Sequence, residues 1–344
     1  MSTSLCISDF LTVYKDIPVV DVRSPKEFEQ GHIPGAINIP LFINDERAKV
    51  GTLYKNRSRD AAVLAGLEIA GTKLTQLAEA GLKTAKNNRL ILHCWRGGMR
   101  SSSVSWLFET CGIQCQILDG GYKSYRRYVL ECFSLPFNLI VIGGMTGTGK
   151  SAILDVLAKH SLQVLKLEEI AHHKGSAFGG LGEQDQPTNE QFENDLFTIL
   201  QGFDLKKPIF VEDESRNIGS NYIPATFFET MSRSQIVITK MARELRINRL
   251  VQVYGQFSKN DLKNAIMKIS KRLGGLSVQN AISSLDNGQL DMAASICLLY
   301  YDKAYLFGLM KKTNIEKFDI EFYTSDASAN ADIFIQFLKD KRLI

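Results

Sequence analysis

The sequence predicts an α/β protein of two domains, each a mostly parallel sheet with helices between its strands. Three observations carry this expectation. Short apolar runs alternate with longer helical stretches along the whole chain. Two of the runs, Leu90-Ile91-Leu92 and Leu139-Ile140-Val141-Ile142, end in glycine-rich loops that open helices. A length of 344 residues also favours two domains over one.

In the first domain, residues 1–130, Pro18-Val19-Val20-Asp21-Val22 reads as a strand, Lys26 to Glu29 as a short helix and Ala36-Ile37-Asn38-Ile39 as a strand. Leu74 to Lys86 reads as a helix. The Leu90 strand follows, then a helix from Ser102 to about Thr110. Gln116-Ile117-Leu118 closes the domain's sheet at Asp119-Gly120-Gly121. Tyr122 to Pro136 is charged and aromatic instead of Gly/Ser-rich, so an ordered bridge is expected there. In the second domain, residues 131–344, strands are expected at Leu139, at Gln163 to Leu167 (ending in Glu168-Glu169), at Pro208 to Val211 and at Gln235 to Ile238. A helical insertion over about 242–312 includes the apolar stretch Leu290 to Met310. A strand from Phe318 to Tyr323 and a helix from Ala329 to Lys341 finish the chain.

Composition excludes several classes. Charged residues are 23% and hydrophobic ones 44%, ordinary for a water-soluble globular protein. The longest apolar runs are too short to span a bilayer, and Met1-Ser2-Thr3-Ser4-Leu5 lacks a basic segment followed by a long apolar one. A cytoplasmic protein without membrane attachment is the expectation. Six cysteines at irregular spacing suit reduced thiols. Cys111 and Cys115 have no histidine partners at zinc spacing, so they are expected to be core thiols and no metal site is expected. The net charge of +4 alone does not establish nucleic-acid binding.

The chemistry concentrates in loops. His93-Cys94-Trp95-Arg96-Gly97-Gly98-Met99-Arg100-Ser101 sets a cysteine at the end of an apolar strand, immediately before a helix. Backbone N–H groups and a helix N-terminus converging on one sulfur stabilise its thiolate. Cys94 is the expected nucleophile, with Arg96 and Arg100 as counter-charges. Gly144-Met145-Thr146-Gly147-Thr148-Gly149-Lys150-Ser151, between a strand and an amphipathic helix, is a P-loop. Gly144, Gly147, Thr148, Gly149, Lys150 and Ser151 should grip phosphate or diphosphate. Glu212 and Asp213 should supply an acid that holds Mg²⁺ or orients water. His172, His173, Lys174 and Ser176 lie in a glycine-rich loop that suits either a substrate loop or a structural one. Tyr122, Lys123, Tyr125, Arg126 and Arg127 interleave cations with aromatics, which suits RNA contact or a solvated connecting helix. Asp21, Arg23 and Glu27, in Asp21-Val22-Arg23-Ser24-Pro25-Lys26-Glu27-Phe28 followed by Gly31-His32-Ile33-Pro34-Gly35-Ala36, are expected to hold loops by satisfying one another.

That last motif, followed by the cysteine loop, resembles the rhodanese superfamily. The span from Cys94 to Arg100 is a residue longer than in the common sulfurtransferases and is similar to that of the rhodanese-like phosphatases. A wider ring of donors suits a tetrahedral phosphorus oxyanion. With the P-loop, Gly120-Gly121-Tyr122-Lys123-Ser124-Tyr125-Arg126-Arg127, His173-Lys174-Gly175-Ser176-Ala177-Phe178-Gly179 and Val211-Glu212-Asp213-Glu214-Ser215-Arg216, nearly the whole chain resembles the bacterial tRNA 2-selenouridine synthases. Lys174 and Glu169 depart from that pattern, where arginine and glycine are more usual. The architecture implied is an N-terminal rhodanese-like domain and a C-terminal P-loop NTPase-like α/β domain.

The resemblance implies action on 2-thiouridine at the wobble position, in the anticodon loop of tRNA. The sulfur is geranylated from geranyl diphosphate, then replaced by selenium from selenophosphate, with Cys94 carrying selenium. No tightly bound cofactor is expected, Mg²⁺ is an option beside the P-loop acids, and a monomer is the default. For the prenyl chain, Met292, Ile296, Leu298, Leu299, Leu306 and Met310 are candidates, although core packing suits them too. Two rival expectations stand beside this one: a rhodanese-type phosphatase fused to a kinase-like domain, and an ATP-gated RNA-binding module.

Overall fold

The computed structural model describes residues 3–344, so Met1 and Ser2 of the expected first domain lie outside it. The chain forms two compact units. One runs to Cys132 and includes Glu193–Asp195; the other comprises Phe133–Phe192 and Leu196–Ile344. The division falls after Cys132 instead of after residue 130. The segment read as a bridge is the helix Gly121–Cys132, which belongs to the first unit.

The first unit is built on β1 (Thr3–Leu5), β2 (Val19–Asp21), β3 (Ile37–Asn38), β4 (Arg89–His93) and β5 (Gln114–Leu118), in the order β1-β5-β4-β2-β3. Every pairing is parallel, with Asp21 opposite His93 and Leu92 opposite Ile117. β4 is central. Helices cover such a sheet on both faces, which is why Leu90, Ile91 and Leu92 are all fully buried and the strand reads as an unbroken apolar run. The short helix Pro25–Gln30 is closed by a capping box: the Ser24 N–H donates to the Glu27 carboxylate over 3.1 Å.

Two helices, Asn44–Asn56 and Arg59–Gly71, occupy a stretch in which the sequence reading assigns no element. The reason is physical. The first buries none of its residues, and the second buries only Ala62 and Gly66, so neither shows an apolar stripe of helical period. Ser58 caps the second, accepting the Ala61 N–H over 3.1 Å.

The second unit carries β6 (Leu139–Gly144), β7 (Gln163–Leu165), β8 (Ile209–Glu212), a small antiparallel pair β9 (Asn217–Ile218) and β10 (Asn221–Tyr222), β11 (Gln235–Met241) and β12 (Lys317–Phe322). Its main sheet, order β12-β11-β6-β8-β7, is parallel throughout. β6 lies between β11 and β8 and leads into the P-loop at its carboxyl end, where α/β sheets bind ligands. β7 stops at Leu165, because Leu167–Ile170 turns into a short helix; Glu168 and Glu169 therefore sit in a helical turn, not at a strand end. The insertion consists of the helices Arg243–Tyr254, Lys259–Lys268, Ser270–Leu273, Gly275–Asp286 and Leu290–Lys311. These share a core through Leu262, Ile266, Val278, Ala281, Leu285 and Cys297.

Candidate functional site in two anion cradles

Cys94 follows β4 directly and is 3% exposed. Gly97, at φ +65°, and Gly121, at φ +58°, let two loops close on it. A Cβ on Gly121 would stand 2.4 Å from the Cys94 carbonyl oxygen, and one on Gly97 2.5 Å from that of Leu118. The amides opening the helix Gly121–Cys132 complete the closure: Tyr122 N–H donates to the Cys94 carbonyl (2.9 Å) and Lys123 N–H to that of Trp95 (3.0 Å). The Gly120-Gly121 segment is therefore part of the cysteine cradle.

Burial raises the pKa of this thiol, yet the net displacement is downward. The Ser101 hydroxyl donates to Sγ over 3.4 Å, the Arg96 and Ser101 backbone N–H groups donate to it, and the Arg100 charge is near. These donors outweigh the desolvation and favour the thiolate. The helix Met99–Thr110 starts three residues earlier than expected, which brings Ser101 into its first turn beside the sulfur. Burial pushes Cys115, which has only the Ser105 hydroxyl against it and Glu109 nearby, and Cys132, which has no such donor, up to about 11. All six cysteines are free.

Arg100 is not an unpaired counter-charge. Its Nη1 and Nη2 lie 2.7 and 3.3 Å from the two Glu27 carboxylate oxygens. Glu27 thus does not close on Asp21 and Arg23 as expected; it ties the Ser24 cap to the cysteine loop. Asp21 and Arg23 do pair, fully buried, at 2.6 Å, and Arg23 also donates to the Gly31 carbonyl (2.7 Å). His93 is enclosed beside them, and burial holds its pKa below the usual imidazole value. Arg96 is exposed at the loop.

The expected RNA platform is corrected at two positions. Tyr122 and Tyr125 are 0% and 1% exposed. The Tyr122 ring lies 3.8 Å beneath the Arg23 guanidinium and packs on Tyr125, so neither ring is presented to a base. Arg126 is ion-paired with Glu193 of the same unit. Lys123 and Arg127 are exposed.

In the second cradle Gly144, Gly147 and Gly149 all adopt positive φ, and Lys150 Nζ folds back on the Gly144 carbonyl at 3.0 Å. The Thr148 hydroxyl bonds the Met145 carbonyl (3.0 Å) and receives the Thr239 hydroxyl (3.0 Å) from β11. Ser151 Oγ donates to Glu168 (3.2 Å), whose own N–H donates to Glu212 (3.1 Å). Glu212 is buried; burial and the neighbouring Glu168 charge push it up to about 8. Glu214, half-buried beside Glu168, is also raised well above the carboxylate range by desolvation and by the Glu168 charge. Ser151, Glu168 and Glu212 are linked beside the loop and could share a Mg²⁺ ion with a bound diphosphate. Asp213 is engaged elsewhere, in an ion pair with Lys312.

Sequence reasoning passes over two arginines here. Arg246 is buried, forks onto Asp302 with two 2.7 Å bonds and donates to the Thr146 carbonyl (3.2 Å). Arg249 lies against Gly149; a Cβ there would be 1.4 Å from its Nη1. The available signal was the three-residue spacing of Arg243, Arg246 and Arg249, which puts successive cations on neighbouring turns of one helix.

The loop after β7 packs on this cradle. His172 Nδ1 lies 2.9 Å from the Asp185 carbonyl, and Lys174 pairs with Glu183 at 2.5 Å. His173 has a buried Nδ1 without a partner, and burial lowers its pKa. A Cβ on Gly175 would reach the Glu214 carboxylate at 2.5 Å. Glu169 points away, paired with Lys166 at 2.7 Å.

Ser176 and Phe178 of that loop, with Thr146 of the P-loop, line a narrow apolar pocket with a cavity volume of about 70 Å³. Leu250 and Val251 form one wall; Ala293, Ala294, Cys297 and Leu298 form another. Of the six residues expected to face a prenyl chain, only Leu298 does so. Ile296 packs on the insertion's core, whereas Met292, Leu299, Leu306 and Met310 are solvent-exposed. The pocket is lined by the opposite face of the same helix.

With this geometry in hand, the chain can be compared with known proteins. A rhodanese-like domain matches residues 11–128, and the tRNA 2-selenouridine synthase AAA domain matches residues 137–322. A tRNA 2-selenouridine synthase of Nitrosomonas eutropha is 32% identical over 89% of this chain and 92% of its own length. Those of Nitrosomonas europaea (32% identical, 86% and 90%) and Bdellovibrio bacteriovorus (33% identical, 87% and 90%) are similar to it along the same extent.

Proposed function

This chain belongs to the tRNA 2-selenouridine synthase family, and from that premise we propose that it modifies the wobble uridine of tRNA in two steps. In the first, the sulfur of a 2-thiouridine attacks C1 of geranyl diphosphate. A C–S bond forms, the C–O bond breaks, diphosphate leaves and N3 of the base gives up a proton. Lys150, Ser151 and the P-loop amides take up the charge of the leaving diphosphate, with Arg249 beside Gly149. The observation that carries this reading is the apolar pocket opening on Thr146: a phosphate grip adjoining hydrocarbon walls suits a prenyl diphosphate.

In the second step selenophosphate occupies the Cys94 loop, with Arg96 and Arg100 beside it. Selenium attacks C2, the C–Se bond forms, the C–S bond breaks, and geranylthiol leaves with a proton. Alkylated sulfur departs more readily than a thiocarbonyl sulfur. The P–Se bond is then cut by the Cys94 thiolate: the phosphoryl group passes to sulfur and from there to water, and the electron pair stays on selenium. This assignment departs from a cysteine-bound selenium. Forming a sulfur–selenium bond from selenophosphate would require an oxidant, whereas phosphoryl transfer balances without one.

Mass spectrometry of nucleosides from 2-thiouridine tRNA, with each donor added separately, tests the reading. Geranyl diphosphate alone is expected to yield S-geranylated nucleoside, and later selenophosphate to convert it to 2-selenouridine. Cys94→Ser should geranylate normally and release no 2-selenouridine. Wild-type selenouridine yield from that variant would remove Cys94 from the mechanism, and absence of any prenylated nucleoside would remove the first step.

A further inference from the structure

Net charge is divided unequally along the chain. Residues 1–132 hold 17 Lys and Arg against 13 Asp and Glu, so they carry the whole +4, and the remaining residues balance. Within that part, residues 47–59 contain Arg47, Lys49, Lys55, Arg57 and Arg59 and no carboxylate. This run takes in the helix Asn44–Asn56 from Arg47 onward, past the acids Asp45 and Glu46 of its first turn, and the turn into the next helix. Its residues beyond Arg47 that bear charge are exposed. The helix touches the core only through partly buried residues such as Val50, so most of its surface is left to face a partner.

A polar groove runs between this helix and Pro25–Gln30, lined by Lys26, Arg47 and Lys55 with the amides of Gln30, Asn44 and Asn56. Its one carboxylate, Glu27, is shared among Arg100, the Ser24 cap and, more loosely, Arg47, so three cations line the groove against a single acid. Arg47 lies over the helix backbone: a Cβ on Gly51 would be 2.6 Å from its Nη1. Its Nε stands 3.6 Å from the Glu27 carboxylate, a loose ion pair, and its Nη groups are turned along the helix. Tyr54 stands 65% exposed among the cations. Glu27 lines the groove and grips Arg100 in the first turn after the Cys94 loop, so the groove adjoins the reactive thiol.

We propose that this groove, with the cationic run to Arg59, holds the phosphate backbone of the RNA substrate, and that Tyr54 stacks on one of its unpaired bases. Lys26, Arg47 and Lys55 neutralise phosphates, and the side-chain amides donate to phosphate and sugar oxygens. Tyr54 supplies the aromatic face that Tyr122 and Tyr125, sealed in the core, do not. The proposal rests on the RNA reading above, and its failure is separable from a failure of that reading.

The test is equilibrium binding of 2-thiouridine tRNA to the full chain across a salt series, for wild type, Arg47→Gln/Lys55→Gln and Tyr54→Ala. The double variant is expected to bind at least about tenfold more weakly, with a log–log salt slope shallower by about 1.5. Tyr54→Ala should lose about tenfold in affinity at unchanged slope. Iodoacetamide labelling of Cys94 at the wild-type rate verifies that each variant is folded. If wild type binds no tRNA, the RNA reading itself fails. If wild type binds and both variants match it in affinity and slope, the groove assignment is overturned. If the double variant binds tRNA normally but needs more selenophosphate, the groove serves a small phosphorylated molecule and the RNA assignment falls.

Discussion

Burial acts on Cys94 and on Glu212 in the same direction, raising both pKa values, but the outcomes are opposite. The thiol ends below its ordinary value, and the carboxyl ends near 8. The difference lies in the neighbours. Both groups receive two backbone N–H donors, but around Sγ stand also a hydroxyl and an arginine, whereas beside Glu212 stands another carboxylate, with Lys150 only partly offsetting it. Both loops follow a central parallel strand and open a helix, so backbone geometry alone prepares each for an anion. The side chains then divide the work. The first cradle holds an ionised nucleophile. The second holds a lysine beside the Glu212 carboxyl, which at about 8 keeps its proton near neutrality and so repels an incoming diphosphate less than an ionised one would.

The largest effect expected of this division comes from Lys150→Ala. Geranylation should fall by about 10²–10³, the range for losing one charged donor at a developing anion, while selenation of tRNA that is already geranylated stays near wild type. Equal loss of both steps, measured by nucleoside mass spectrometry, would break the separation of the cradles. Next in size, Ala293→Phe fills the apolar pocket. We expect KM for geranyl diphosphate to rise about tenfold, with inhibition by inorganic pyrophosphate unchanged, since the prenyl wall is lost and the phosphate grip kept. An equal rise in the pyrophosphate inhibition constant would place the pocket outside the donor site.

The smallest effect concerns the thiol. In wild type the pH midpoint of Cys94 alkylation should lie below about 8.5, the value of a free cysteine. Ser101→Ala removes a donor to the thiolate, so its midpoint must move upward and labelling at pH 7 must slow. A midpoint unmoved by that change would mean that the amides and Arg100 alone stabilise the sulfur.

Much of both cradles was legible in sequence because their requirements are local. Glycines at positive φ, a preceding apolar strand and a following helix are written within a dozen residues, and Cys94, Lys150 and Ser151 stand where those patterns place them. Side-chain partnership was not. Glu27 meets Arg100 across 73 residues, and Arg249 reaches Gly149 from an insertion a hundred residues away. The helix Leu290–Lys311 carries apolar residues on more than one face, so spacing could not choose the wall of the pocket from the surface. Tyr122 and Tyr125 alternate with cations as an RNA platform would, yet their rings lie on the inward face of that helix and fill the core, Tyr122 beneath Arg23. What the chain determines by itself is where backbone can gather around an anion, since that depends on adjacent residues. Which charges remain available there, and which aromatics face water, is decided only when distant elements pack and desolvate one another.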